Sequence, residues 1–430
     1  MLYPSLLRCT LLGTSLSLLT ACADNHAASQ VDTPTPVVQS ATISLPTATV
    51  SPTSTATFEQ PTQSFASWQA AFRQEALSAG IQAAVFDAAF AGVSPDMAVI
   101  RADRSQPEFT RPVWEYLDSA ISATRVRRGQ ALLAEHASTL QAIEQRYGVD
   151  RHALVAIWGM ESNFGQYMGD KSVIAALATL AYEGRRPAFA HEQLLAALRI
   201  LQHGDVQPSR MRGSWAGAMG QTQFIPSTYN QFAVDFDGDG RRDIWDSSAD
   251  ALASAAHYLQ KSGWQSGQPW GVEVTLPSGF DYALADAEIR KPISEWRQLG
   301  VNNIPAADDQ ARAVLLLPAG HRGPAFLVLD NFRAILKYNN STAYGLAIGL
   351  LSGALKSQPG VQAAWPRSDR QLGRSERIEL QELLTSKGYT PGAADGIIGA
   401  NTRKAVRAFQ QSLGQPADGY PSHELLQQLR

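Results

Sequence analysis

Only two cysteines, Cys9 and Cys22, occur in this 430-residue chain, and both fall within its first 22 residues. Cys9 lies in a segment that reads as a removable export signal, so a mature chain keeps one thiol and no disulfide, and its stability must come from packing. Charge of one sign is also scarce: 36 Lys and Arg against 39 Asp and Glu give a formal net charge of -3. Without a long basic run there is no electrostatic footprint for nucleic acid, which is excluded as a partner. The eight histidines form no H-E-x-x-H pattern and the cysteines no pairing, so zinc is not indicated. Near the N-terminus the apolar run LLGTSLSLLTAC is too short to cross a bilayer. What is present, with 44% hydrophobic residues, is material for one large globular domain and a small one.

Residues 1–22 fit a signal peptide: Arg8, the apolar run, then small residues. LTAC, Leu19 to Cys22, resembles a bacterial lipoprotein cleavage box, which implies that Cys22 becomes the lipid-bearing first residue. The expected location is then the periplasmic face, anchored by lipid, with the outer membrane favoured. An ordinary cleaved signal with an idle Cys22 is the alternative, and lipid on the mature chain distinguishes the two. Residues 23–64 are Thr, Ser, Pro, Ala and Val with scarcely a charge, a composition that cannot bury enough apolar surface to order itself. They read as a tether. Helical spacing dominates residues 65–358, with short strand-like stretches only at GVEVTL and AFLVLD, so the expectation is a mainly α domain with a minor β-hairpin. Residues 359–374, punctuated by Pro and Gly, read as a second linker, and 375–430 as a compact module.

Within the large domain, GVDRHALVAIWGMESNFG predicts a helix with Asp150 as N-cap and Gly165 as its stop. Leu154, Ile157, Trp158 and Glu161 fall at i, i+3, i+4 and i+7, placing a carboxylate on the apolar stripe. Desolvation and the negative end of the helix dipole both disfavour its ionised form. A carboxylic acid protonated near neutral pH can donate a proton to a departing oxygen, as glycosidic cleavage requires. The bland alternative is a solvated Glu161 at a frayed end, or one paired with an arginine such as Arg185.

E-S-x-x-G at Glu161, GSWAGAMGQTQFIPSTY at 213–229 and YNNSTAYG at 338–345 together resemble the catalytic core of the lytic murein transglycosylase B family. The resemblance implies a lysozyme-like α fold with a glycan groove, Glu161 as catalytic acid/base, and peptidoglycan glycan strands as substrate, with no cofactor for the chemistry. Tyr116, Ser214, Met219, Gln223, Tyr258, Tyr338, Asn339 and Tyr344 match positions that such enzymes use for substrate, and Met219 and Phe224 are expected to line the groove. Ordinary glycosidases need two carboxylates flanking the bond. The motifs supply no obvious second acid, which favours a reaction in which the muramic C6 hydroxyl attacks C1. A hydrolytic muramidase is the chemical rival, and a non-catalytic wall-binding scaffold the rival from another class.

VDFDGDGRRDIWD sets Asp235, Asp237, Asp239, the Arg241 carbonyl and Asp243 at loop positions 1, 3, 5, 7 and 9 of a calcium loop, with Gly240 at position 6. Position 12 is Asp246, whose side chain is short for a bidentate ligand, and Asp250 is its rival. A metal-free Asp/Gly turn capping the next helix is the alternative to a structural Ca2+. At the C-terminus, L-Q-x-x-L, G-Y, D-G-I-x-G and T-x-x-A-V-x-x-F-Q resemble a three-helix peptidoglycan-binding domain, with Asn401 or Thr402 expected near the cap of its second helix. Such a module would raise local substrate concentration, and other wall-remodelling proteins are conceivable partners.

Overall fold

The computed structural model describes residues 63–104, 111–304 and 308–430. The signal, Cys22 and the tether up to residue 62 lie outside the described residues. Helices account for most of the fold: α1 (Phe65–Ser78), α2 (Ala83–Ala89), α3 (Met97–Arg104), α4 (Val113–Ala120), α5 (Ala123–Glu135), α6 (Ala137–Tyr147) and α7 (Arg151–Ser162) open it. Ser122 separates α4 from α5, its hydroxyl accepting from the N–H of Arg125 to cap α5.

Then come α8 (Val173–Glu183), α9 (Pro187–His203), α10 (Pro226–Phe232) and α11 (Ser248–Lys261). Strands β1 (Lys171–Ser172) and β2 (Arg212–Gly213) pair antiparallel between them. The expected hairpin is in fact a four-stranded antiparallel sheet. Strands β3 (Gly271–Val274), β4 (Lys291–Pro292), β5 (Arg312–Leu316) and β6 (Ala325–Val328) are ordered β3-β6-β5-β4, with α12 (Ile293–Gln298) packed on the sheet. GVEV and AFLV do pair, Gly271 opposite Val328, but β5 completes the sheet, and all of Ala313, Leu315, Phe326 and Leu327 are buried.

Helix α7 is central. Ala153 to Gly159 are all buried, so it is apolar on every side and packs against α5, α6, α11 and α14 (Thr342–Leu355). Asp150 caps it as expected, accepting from the N–H groups of His152 and Ala153 at 2.8 and 3.3 Å. Helix α13 (Asp330–Tyr338) leads into α14, which slides close to its neighbours through glycine. A β-carbon on Gly345 would meet Phe332 at 2.7 Å, and one on Gly349 would overlap the Trp270 indole. Among the described residues, no helix is long and apolar enough to cross a membrane.

The C-terminal module is the expected three-helix unit, α15 (Arg374–Ser386), α16 (Ala400–Ser412) and α17 (His423–Leu429), around Leu380, Leu384, Val406 and Leu426. Gly399 occupies the N-cap of α16, with Asn401 and Thr402 near it in the first turn as expected; Thr402 is buried and donates to the Pro391 carbonyl at 3.0 Å. The module docks on the sheet side of the large domain. Arg407 pairs with Asp286, Lys404 with Glu288 at 2.7 Å, and Asp418 accepts from the His321 N–H at 2.7 Å.

Candidate active site

Glu161 sits in the last turn of α7, partly buried, beside Ser162, which is fully buried. The helix stops earlier than the sequence implies, at Asn163 and not at Gly165. Asn163, Phe164 and Gly165 are all left-handed, with φ of 49°, 61° and 79°. Two consecutive non-glycine residues in that region are strained, a condition that surrounding contacts must enforce. Here Ser162 enforces it: its hydroxyl donates to the Gln221 carbonyl at 2.7 Å and accepts from the Gly165 N–H at 2.9 Å. The end of α7 is thereby tied to the 213–229 segment. A further close approach occurs at Gly169, φ 91°, where any β-carbon would fall on the Gly213 carbonyl.

Three tyrosines surround Glu161. Tyr344, near the start of α14, donates its hydroxyl hydrogen to Glu161 Oε1 at 2.5 Å. Tyr338, the last residue of α13, donates to the Thr222 carbonyl at 2.6 Å. Tyr116 of α4 is the third. Burial raises the pKa of each, and the negative charge of Glu161 adds to the rise, so all three remain protonated donors. Glu161 itself is pushed up to about 7, chiefly by burial and against the opposing effect of the Tyr344 bond. Among the described residues no other carboxylate contributes to that shift. Arg185, the rival partner for Glu161, is engaged elsewhere, its backbone N–H and guanidinium both on Asp103 at 2.9 and 3.3 Å.

The other candidates divide into two groups. Tyr258 donates to the Lys337 carbonyl at 2.6 Å and packs edge-on to Tyr338, ring centroids 5.3 Å apart. Gln223, at φ 53°, spends its amide on the carbonyls of Met168 and Gly220 at 3.1 and 2.9 Å. Ser214 accepts from the N–H groups of Ala216 and Ala218 at 3.3 and 3.0 Å and so shapes its turn. Asn339 is exposed just after α13. Met219 and Phe224 do not line a groove: both are buried, Met219 completely, because the tight Gly213–Phe224 turn folds them into the core while Phe224 backs the Tyr258 and Tyr338 rings. Ser162, Gln221 and Thr222 join this neighbourhood although the sequence analysis gave them no role. The one available signal was Ser162, which with Glu161 follows an apolar run, Ala153 to Met160, in the last turn of the helix.

In the acidic loop, carboxylate oxygens of Asp235, Asp237 and Asp250 lie within 4.8 Å of one another. Asp250 is fully buried at the start of α11 and accepts from the N–H groups of Phe236, Asp237 and Asp243 at 2.7, 3.3 and 2.9 Å. Burial nonetheless pushes its carboxyl above the usual range. A buried carboxylate facing two others fits a cation better than it fits an empty turn. Asp246 does not join them; it is exposed and paired with Arg210, because the helix-capping turn at Ser247 directs it outward. Asp239 pairs with Arg241 at 2.7 Å, and Asp243 accepts from the N–H groups of Trp245 and Asp246, both at 2.9 Å.

A partly buried carboxyl held up at about 7 on the central helix of a mainly α domain, joined to a small helical module, is what an enzyme that breaks glycan chains by acid catalysis would need. Comparison with known proteins gives the family. Residues 64–353 match the family described as Transglycosylase SLT domain, and residues 373–429 match the peptidoglycan binding domain family. The chain belongs to the SLT lytic transglycosylase family, enzymes that cleave the glycosidic bonds of peptidoglycan. It is 33% identical over 247 residues to membrane-bound lytic murein transglycosylase B of Escherichia coli K12; the match spans 56% of this chain and 66%, just under two thirds, of that protein. The crystal structure of SltB3 from Pseudomonas aeruginosa in complex with NAG-anhNAM-pentapeptide is similar at 65% identity and TM-score 0.83, over 86% of this chain and 100% of that one. Escherichia coli Slt35 in complex with calcium matches at 29% identity and TM-score 0.58, over 67% of this chain and 92% of that one.

Proposed function

We propose that the chain is a lytic transglycosylase that cleaves the MurNAc-GlcNAc β-1,4 bond of peptidoglycan and leaves 1,6-anhydromuramic acid ends. The observation that carries this reading is a carboxyl titrating near 7 whose bonded partner is a tyrosine, without a second carboxylate acting on it. Protonated Glu161 gives its proton to the glycosidic oxygen as the bond to C1 breaks. The resulting carboxylate then takes the proton of the muramic C6 hydroxyl while that oxygen bonds to C1. The proton count closes on one residue, and no water is consumed. Holding the hydroxyl near C1 is what lets an intramolecular attack outrun hydrolysis. That the relative SltB3 is described with an anhydromuramyl pentapeptide supports the same product here.

Tyr116, Ser214, Gln223, Tyr258, Tyr338, Asn339 and Tyr344 are proposed to bind the glycan. Of these, Tyr344 bonds Glu161 directly, and Tyr116 and Tyr338 lie near enough to feel its charge. A Ca2+ ion would be held by Asp235, Asp237 and Asp250, joined by Asp239, the Arg241 carbonyl or Asp243. It would neutralise the buried charge and brace the segment between α10 and α11, with no part in bond cleavage; the calcium complex of Slt35 supports this. A lipid on Cys22 would place the enzyme on a membrane facing the wall, in keeping with the membrane-bound relative.

Mass spectrometry of muropeptides released from sacculi by the purified soluble chain tests the reading. Anhydromuramyl ends are expected, and none with Glu161→Gln. Reducing muramic ends would make the protein a hydrolase, and equal release by the variant would remove Glu161 from the chemistry.

A further inference from the structure

The segment joining the two domains reads in the sequence as a spacer, yet in the structure it is fastened at successive points across the large domain. The Glu273 carboxylate on β3 accepts from the backbone N–H groups of Gln362 and Ala363 at 2.7 and 2.8 Å. Trp365 packs its indole against Trp114 of α4, ring centroids 6.2 Å apart, and against Phe326 of β6 at 6.5 Å. The Arg367 guanidinium grips Asp118 of α4 through two bonds, 2.7 and 3.0 Å, the paired geometry that fixes orientation as well as distance. Asp369 pairs with Arg322 beyond it.

Two of these four fastenings fall on one short helix. Trp114 and Asp118 are four residues apart in α4 and so share a face. Tyr116, midway between them, points from roughly the opposite side of the helix, and it is there that it feels the charge of Glu161. Helix α4 therefore lies between the joining segment at its back and the catalytic carboxyl at its front. Trp365, Tyr116 and Met160, the neighbour of Glu161, border the same apolar cluster of Leu117, Ala120, Phe326 and Phe332. The helix has eight residues, and Pro112 at its N-cap makes no side-chain cap bond, so its position depends on what packs on it: α14, the Arg125 guanidinium on the Ser119 and Ala120 carbonyls at 2.9 and 2.7 Å, and the joining segment.

We propose that residues 359–373 are a strap that seats α4, making Trp365 and Arg367 positioning residues that set Tyr116 against the sugar ring at Glu161. The inference rests on the transglycosylase reading above. It gives the joining segment a role that a flexible spacer of equal length could not fill.

The test uses the full mature chain, without lipid, on a short soluble muroglycan. Arg367→Ala and Trp365→Ala are expected to raise KM and lower kcat/KM about three- to tenfold, since small misplacements at a reacting centre are costly. Arg367→Lys should recover part of the loss and Trp365→Phe most of it. The pH profile, set by the burial of Glu161 and its bond to Tyr344, should not move. In a Tyr116→Ala background, Arg367→Ala should add no further loss, because the residue it acts through is gone. A multiplicative loss in that background, or unchanged kcat/KM in the single variants, overturns the proposal. Hydrogen exchange supplies a readout independent of activity: amides of 113–120 should exchange faster in Arg367→Ala, and unchanged exchange there also overturns the strap. If the wild-type chain cleaves no glycan, the underlying reading has failed, and the exchange result still decides the strap.

Discussion

The Tyr344 hydroxyl and the Glu161 carboxyl, 2.5 Å apart, pull the acid in opposite directions: the bond favours the carboxylate while burial favours the protonated form, and burial prevails. Tyr344→Phe removes the opposing influence and keeps the burial. The Glu161 pKa should then rise above about 7. If Glu161 acts as the proposed acid, activity needs its protonated form and falls as pH rises through that value, so the alkaline limb of kcat/KM should move to higher pH in the variant. A limb that stays in place or moves toward acid would contradict the assignment.

The same shift bears on stability. Glu161 titrates near 7 when folded and near 4.5 when its surroundings are lost. The folded state thus binds more protons between these values, and the contribution, full below pH 4.5, is lost as pH rises through 7. Glu161→Gln has nothing to lose. It should be more stable than wild type above pH 7, by on the order of 1–3 kcal/mol, with the gap closing below about pH 4.5. Thermal melts of both proteins across that range measure it.

Asp250 and Asp246 should differ sharply in their response to chelation. Removing calcium is expected to lower the Tm of wild type and of Asp246→Ala by similar amounts, corresponding to about 3 kcal/mol if the ion is present at a hundredfold excess over its Kd. Asp250→Asn should melt lower from the start and show little response to chelator. Equal chelator responses in all three would remove Asp250 from the ligand set.

Gly169 holds the segment after α7 against the 213–229 turn, at φ 91° and with no room for a β-carbon beside the Gly213 carbonyl. Gly169→Ala combines a backbone strain with a steric overlap and should cost about 2 kcal/mol or more. Because the displaced backbone carries the Met168 carbonyl that Gln223 holds, kcat/KM should fall as well. Calorimetry and steady-state rates on the folded fraction separate the two effects.

Where local chemistry decides structure, the sequence was readable. Asp150, Glu161 and the apolar spacing between them define α7 before any fold is known, and the carboxyl's discomfort follows from that spacing alone. Met219 and Phe224 were misassigned because a motif string does not say which side of a tight turn faces the core; packing decides it. Asp246 sits at the calcium-loop position by count, but the capping turn at Ser247 swings it outward and leaves Asp250 inside. β5 was missed because RAVLL is a short apolar run that periodicity alone does not assign to a strand, although its partner β6 follows closely, and the strap was missed because Pro and Gly suggest a spacer. Trp365 and Arg367 were the contrary signal: a large indole and a bidentate cation have little use in a free linker.

The glycines of α14 bear on how the enzyme could ever change. Gly345 follows Tyr344 directly, and with Gly349 it lets the helix press against Phe332 and Trp270 with nothing in between. The phenol's reach is thus fixed by the thinness of a backbone four residues at a time. A single methyl at either position would push the helix off Phe332 or Trp270 and shift the Tyr344 phenol against Glu161 without touching either group, so the bond between them is guarded by residues that have no side chain at all.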